Sequence, residues 1–194
     1  MKHFFILLLI PVAMSAQRYD IISGKFENLK SIAAYNVTFD YKGMEINGYA
    51  SEEAFIKEKV EKREKNPEKA ERFAKQWYAD REEKYEPRFM EYFNKRFDKG
   101  EVSVAKNPSA TYTMKIKTVW IYPGYGIGPG GEPPKITAIV SVFETANPAN
   151  VLLEVKFEKA IGLDNKNLND PGERISGAYE KLAKNLVQQI KRIL

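Results

Sequence analysis

The chain contains no cysteine, and its only histidine is His3. Without cysteine there are no disulfide bonds, so packing has to hold the fold together. The absence of cysteine and of any later histidine also excludes cysteine and Ser–His nucleophiles, imidazole acid–base chemistry and the usual zinc sites from the body of the chain. Any catalysis would be left to carboxylates, lysine or tyrosine.

The charges show no concentration of one sign. Lysine and arginine number 31 against 26 aspartate and glutamate residues, a formal net charge of +5. Even the most charged segment, residues 52–99, mixes 13 acids with 14 bases. A nucleic-acid interface needs positive charge gathered on one face. We therefore expect a solvated helical surface here, and no nucleic-acid partner.

The one long hydrophobic run lies in the first residues, "MKHFFILLLIPVAMSAQ". Lys2 precedes the apolar run and small residues, Ser15 and Ala16, follow it, which is typical of a secretory signal peptide. The run is too short to span a bilayer. We expect cleavage after Ser15 or Ala16, no transmembrane segment afterwards, and an exported protein, periplasmic or secreted. No cysteine follows the run, so the lipid anchor of a bacterial lipoprotein is excluded.

Size and composition predict one domain after the leader. With residues 1–16 as signal peptide, residues 17–194 leave about 178 residues, enough to bury about 70% of the unfolded surface in one core. Residues 51–99 form a charged helical insert in this domain. Ser51 is placed to cap a helix start, and Pro87 is expected to interrupt the insert.

Alternating apolar residues predict strands. In "TYTMKIKTVWIY" the pattern puts Met114, Ile116, Trp120 and Tyr122 on one face. The turn "ANPAN" precedes a strand that begins with an inward-facing Val151. The four expected strands are Tyr35–Tyr41, Thr111–Tyr122, Lys135–Glu144 and Val151–Glu158. Tyr19–Phe26 is a weaker candidate for an edge strand.

The predicted fold class is α+β. The last three predicted strands are consecutive and separated by turns, so we expect an antiparallel meander sheet of about four strands. Residues from Ile175 to Ile190 keep helical spacing and predict a C-terminal amphipathic helix. This helix and the charged insert are expected to cover the sheet.

The stretch "VWIYPGYGIGPGGEPPK" contains Gly126, Gly128 and Gly131 in the spacing G-x-G-x-x-G. A dinucleotide site needs a helix directly after such glycines, since the phosphate is held at a helix N-terminus. Pro133, Pro134 and a β-branched run follow instead, so we expect a long loop between antiparallel strands.

Three aromatic residues in and beside this loop, Trp120, Tyr122 and Tyr125, are the candidate contacts with a ligand or partner. Functional contacts often lie on loops. The alternative is that these rings only pack the loop onto the sheet end. The partner would be an unknown envelope protein or a small ligand.

Carboxylates give no catalytic or metal assignment. Glu154 and Glu158 alternate with apolar residues and are expected to face solvent. The loop from Asp164 to Glu173 is rich in oxygen ligands but departs from the EF-hand pattern. We therefore name no catalytic residue, no metal site and no cofactor.

The stretches "KTVWIYPG" and "ETANP", with the terminal "ERISGAYEKLAKNLVQQIKRIL", resemble a group of exported proteins of unknown function from Bacteroidales-type bacteria. A meander followed by a packed terminal helix also looks like the small α+β envelope domains of periplasmic lipoproteins and of the N-terminal part of the Tol–Pal translocation protein. The resemblance implies an envelope location and brings no catalytic residues with it.

The sequence favours a non-enzymatic envelope or secreted binding module. The alternative is a carboxylate-dependent hydrolase that works without histidine or cysteine. A third hypothesis is a structural envelope protein whose helical insert is its interaction surface.

Overall fold

The structure, a computed structural model, describes residues 18–97, 99–125, 130–163 and 170–194. The predicted signal peptide, residues 1–16, lies outside this part of the chain. In the described part, no helix combines the length and the apolar character needed to cross a membrane.

The described residues form an α+β fold around one sheet. Its strands follow the spatial order β1-β7-β6-β5-β2-β4, and β3 pairs with β5 beyond the end of β2. The seven strands are β1 Tyr19–Gly24, β2 Ala34–Asp40, β3 Glu45–Ile46, β4 Ser103–Ala105, β5 Tyr112–Tyr122, β6 Lys135–Glu144 and β7 Asn147–Ile161.

The predicted antiparallel meander of about four strands is wrong, because the sheet has seven strands and is mixed. β5, β6, β7 and β1 are antiparallel neighbours, but β2 runs parallel to both β4 and β5, and β3 runs parallel to β5. The helical insert explains the parallel pairs. It carries the chain away from β2 and back, and such a crossover is what parallel pairing requires.

The helices are α1 Glu52–Glu61, α2 Pro67–Asp80, α3 Glu86–Lys95 and α4 Pro171–Lys191. Ser51 begins α1 by accepting a hydrogen bond from the Ala54 amide at 3.1 Å, so the predicted cap is confirmed. Asn66 caps α2 in the same way.

Pro87 does not interrupt the insert, contrary to the prediction. A π-helical turn, Arg81–Tyr85, joins α2 to α3, so the helical path continues from residue 67 to residue 95. At the start of α3 the Glu86 amide donates to the Arg81 carbonyl. This wider turn accommodates a proline, which lacks an amide donor and would clash with the carbonyl four residues earlier in an α-helix.

The helices pack on one face of the sheet. From α4, Tyr179, Leu182 and Leu186 are fully buried against inward residues such as Val140 and Val155. Each such apolar side chain contributes about 1.5–3 kcal/mol on burial.

The fourth predicted strand begins earlier than expected. The turn is Thr145–Ala146, and β7 starts at Asn147. Val151 is 40% exposed, so its predicted inward orientation is wrong, whereas Leu153 is fully buried.

A β-bulge in β5 changes which face its last residues occupy. Met114, Ile116 and Thr118 are buried under the helices, and the register shifts between Thr118 and Trp120. After the shift Ile121 is the buried residue, and Trp120 pairs with Thr137 on the opposite face. The prediction that Trp120 shares a face with Met114 and Ile116 is therefore wrong, because a bulge adds one residue to the alternation.

Candidate functional site

An open groove lies where the helical insert meets the end of β5, the loop after β5 and the first turn of α4. Its volume is about 380 Å³, within the range of small-ligand sites. We call it the aromatic groove; its lining residues are Asn47, Tyr49, Phe55, Lys59, Arg63, Phe73, Trp77, Tyr122, Pro123, Gly124, Tyr125, Pro171 and Arg174.

The floor of the aromatic groove is a cluster of rings from α1, α2 and the segment just before α1. Phe55 and Trp77 are buried, with ring centroids 4.6 Å apart. Tyr49 meets Phe55 edge-on at 5.0 Å, and Phe73 lies 6.1 Å from Phe55. Phe73 and Trp77 are four residues apart in α2, which places both rings on one side of that helix. Glu52 accepts a hydrogen bond from the Trp77 indole at 2.6 Å and so fixes the ring.

Two cations, Lys59 in α1 and Arg63 just after it, extend along the rim. The Lys59 ammonium donates to the Tyr49 hydroxyl at 3.0 Å and lies 5.3 Å from the Phe55 ring centroid. The Arg63 guanidinium lies 4.4 Å from the Phe73 ring centroid and donates to the Lys59 carbonyl. Cations over ring faces are attracted by the ring quadrupole, so this wall of the groove is both aromatic and positive.

The opposite wall is Tyr122 and the loop that follows. Burial, and then a hydrogen bond with the Glu132 carboxylate, raise the pKa of Tyr122 to about 12. The Lys135 ammonium lies 5.3 Å from the Tyr122 ring centroid. Tyr122 therefore stays neutral at physiological pH. Glu132 fixes its hydroxyl, and Lys135 lies against its ring. Tyr125, the next aromatic, is 58% exposed.

Backbone contacts fix the base of this loop. Tyr125 and Glu132 exchange backbone hydrogen bonds of 3.2 and 2.9 Å. Gly124 has φ +75°, and a Cβ there would lie 2.7 Å from the Glu132 carbonyl oxygen. Glycine is required at this position, both for the positive φ and for the close approach.

Arg174 ties α4 to the same loop. Its guanidinium donates to the Glu132 carbonyl at 2.9 Å, and the residue is only 8% exposed. Its own carbonyl accepts from the Leu163 amide at 3.1 Å. One feature of the sequence sets this residue apart. Arg174 falls in the first turn of a helix, where a cation is unfavourable to the helix dipole.

The structure brings two of the three predicted contact residues into the aromatic groove. Tyr122 and Tyr125 line the aromatic groove. Trp120 lies instead in shallow polar hollows on the open face of the sheet, beside Tyr122, Lys135 and Lys159. The β5 bulge precedes both Trp120 and Tyr122; Tyr122, at the end of the strand, borders the groove and one of these hollows.

Sequence reasoning missed most of the groove. Phe73 and Trp77 have the helical spacing typical of core residues, and Phe55, Lys59, Arg63 and Arg174 were not singled out at all. Trp77 is in fact buried. It serves as both core and floor, so helical periodicity alone could not distinguish the two roles.

The glycine spacing does not lead into a helix. Gly126 and Gly128 lie outside the described residues, but the described segment from Gly131 reaches β6 at Lys135 without a helical turn. β5 and β6 are antiparallel neighbours. The chain geometry required for a dinucleotide site is thus absent from this described segment.

Asp164–Asn169, the greater part of the loop considered for calcium, lies outside the described residues. Asp170, which is described, caps α4 by accepting from the Gly172 amide at 2.8 Å and pairs with Lys84 at 2.6 Å. Burial opposes its ionisation, but Lys84 and the backbone amides outweigh that effect and lower the pKa of Asp170. This carboxylate therefore has a structural role at the helix start.

No protein-family model matches the chain, and a search of curated proteins finds no match. Among solved structures, the chain is similar to a dodecamer of a PelC variant from Paraburkholderia phytofirmans, at 10% sequence identity over 89% of this chain and 99% of that chain. The TM-score is 0.39, and a similarity this weak carries no argument about fold or function.

Proposed function

We propose that this chain is an exported binding module that holds a small ligand in the aromatic groove. Export is proposed from the leader-like residues 1–16. The groove itself supports the binding role, since small-ligand sites are concave and mostly apolar, with a few polar groups that orient the ligand.

The observation that carries the proposal is an aromatic floor that solvent can reach. Phe55 and Trp77 are packed and fixed, while Phe73 and Tyr49 are half-buried and Tyr125 is exposed beside them. Aromatic rings bury 150–250 Å² each and are roughly rigid, so a flat ligand gains contact area at a low entropic cost.

The hydrolase alternative gains no support from the described residues. The described lining of the aromatic groove contains no aspartate or glutamate. Asp80 and Asp170 do approach one another, but both are bound to Lys84, at 2.7 and 2.6 Å. A carboxylate pair neutralised by a lysine serves the packing of α4 on the π turn rather than acid–base chemistry.

Trp77 provides a direct test. The chain has two tryptophans, so Trp120→Phe leaves Trp77 as the only indole reporter. In this variant, emission would be measured during titration with maltotriose, trigalacturonate, a neutral hydrophobic tripeptide, 2-naphthoate and 2-naphthamide. We expect saturable changes with at least one probe.

The same titration would be repeated with two further substitutions. Tyr125→Ala should weaken binding about tenfold, the effect of losing one ring contact of about 1–1.5 kcal/mol. Tyr78→Ala removes an exposed tyrosine of α2 outside the groove and should change nothing. The proposal fails if no probe alters Trp77 emission, or if Tyr125→Ala leaves every affinity unchanged.

A further inference from the structure

Arg174 is a buried cation for which the described residues provide no counter-charge. It is 8% exposed, and its side chain donates to one backbone carbonyl, that of Glu132. No carboxylate of the described residues lies within ion-pair distance of it. Burying an unpaired charge is costly, and buried charges in proteins are normally paired. The position in the first turn of α4 adds a further unfavourable contact with the helix dipole.

The groove lining around Arg174 is positively charged, and the carboxylate of the neighbouring Glu132 is bound to Tyr122. The described groove lining contains Lys59, Arg63 and Arg174 and no acid. Lys59 has Glu58 nearby at 3.6 Å, but that carboxylate is closer to Lys62, at 2.5 Å. A concave surface lined by one sign of charge focuses the field and attracts the opposite charge.

Arg63 strengthens this imbalance. Its described contacts are the Phe73 ring and the Lys59 carbonyl, and none is with a carboxylate. Two guanidinium groups in one groove therefore lack an acidic partner in the described chain. Guanidinium groups present paired N–H donors that match the two oxygens of a carboxylate.

We propose that the aromatic groove is specific for a small ligand that has an apolar ring face and a carboxylate. The ring face lies on the aromatic floor, and the carboxylate pairs with Arg174. This inference rests on the proposed binding function and adds its ligand class. The shared chemistry is a carboxylate attached to a flat apolar face. Two sources provide it, a uronic-acid sugar and an aryl carboxylic acid.

The experiment compares each acid with a neutral match on the full exported chain carrying Trp120→Phe. The pairs are trigalacturonate with its methyl ester, and 2-naphthoate with 2-naphthamide; phenyl phosphate tests the other common anion. We expect at least one carboxylate to bind about ten- to a hundredfold more tightly than its neutral match, since hydrogen bonds to charged groups contribute about 1.5–3 kcal/mol. Binding of trigalacturonate alone would identify the sugar source, and binding of 2-naphthoate alone the aryl source; binding of both would define the class by ring and charge.

Substitutions of Arg174 test whether this residue binds the carboxylate. Arg174→Gln should remove the preference for the acid, and Arg174→Lys should keep only part of it, because lysine retains the charge but not the paired donors. Arg192→Gln, at the other end of α4 and bonded to Gln189, is the matched control and should bind normally.

Two further measurements cover the case in which Arg174→Gln does not fold. Arg63→Gln changes a half-buried rim residue and should reduce carboxylate affinity alone. In the otherwise unchanged protein, added salt should weaken binding of the acid but not of its neutral match.

Three outcomes overturn the inference. Equal affinity for acid and neutral match removes the charge specificity and leaves the binding function standing. Tighter binding of phenyl phosphate than of either carboxylate replaces the ligand class. If no probe changes Trp77 emission, the binding function itself fails and the inference fails with it.

Discussion

The aromatic groove and the tyrosine stack, Tyr85 with Tyr179, are both clusters of rings around the helical insert, but they differ in access and charge. The stacked rings lie 5.0 Å apart at an interplanar angle of 7° and are almost completely buried. Burial raises the pKa of both tyrosines. In the groove, Tyr49 and Phe73 are half-buried with cations over their rings, and Tyr125 is exposed. The difference indicates that rings without solvent access serve stability, whereas rings at an open, charged edge are free to bind.

The largest expected contrast is in stability. Tyr179→Ala should lower the free energy of unfolding by about 3–5 kcal/mol, because it leaves a cavity in a close-packed interior. Tyr125→Ala should change the same quantity by less than about 0.5 kcal/mol, as for other exposed positions. Chemical denaturation of the two variants measures both. Similar losses in the two would show that the groove loop belongs to the core and would end the comparison.

A smaller effect distinguishes the two members of the tyrosine stack. The Tyr179 hydroxyl shares a 2.8 Å hydrogen bond with Thr118, whereas the Tyr85 hydroxyl is buried with no partner among the described residues. Tyr179→Phe should destabilise the fold by about 1 kcal/mol, and Tyr85→Phe should be neutral or stabilise it by about 1 kcal/mol, because an unsatisfied buried hydroxyl is removed. Each variant is the control for the other. A loss of stability in Tyr85→Phe would mean that this hydroxyl has a partner after all.

The smallest effect is a shift in titration. Tyr122 should ionise with a pKa of about 12, while Tyr85, whose pKa burial raises much further, should stay neutral until the protein unfolds. Glu132→Gln should lower the pKa of Tyr122 toward its usual value of about 10, because the nearby negative charge that disfavours the phenolate is removed. Alkaline difference absorbance of wild type, Glu132→Gln and Tyr122→Phe isolates this group. An unchanged pKa in Glu132→Gln would contradict any contribution from the Glu132 carboxylate and leave burial as the cause.

Local patterns predicted the elements that depend on neighbours in the sequence. The cap at Ser51, the strand near Lys135–Glu144 and the amphipathic face of α4 all follow from periodicity or capping, and the structure contains them. The relative direction of the strands could not be predicted from the sequence, because the same alternation of apolar and polar residues fits parallel and antiparallel pairing. The β5 bulge, which places Trp120 on the other face, was not predicted either, because the added residue has no recognisable sequence pattern.

The groove shows the same limit. Tyr122 and Tyr125 were found because they lie beside a glycine-rich loop. Arg174, about 50 residues later in the chain, was missed because only folding brings the start of α4 against that loop.

By itself, the sequence determined that this chain has no disulfides and no histidine after His3, and that charged helices accompany apolar strands. These properties follow from composition and from contacts between near neighbours, which a single chain carries in its order of residues. The tertiary structure alone decided the mixed sheet, the placement of Trp120 away from Tyr125, and the position of Arg174 in one groove with rings from α1 and α2. Each of these depends on packing between distant segments, where the burial of one face selects a single arrangement from several that the local pattern allows.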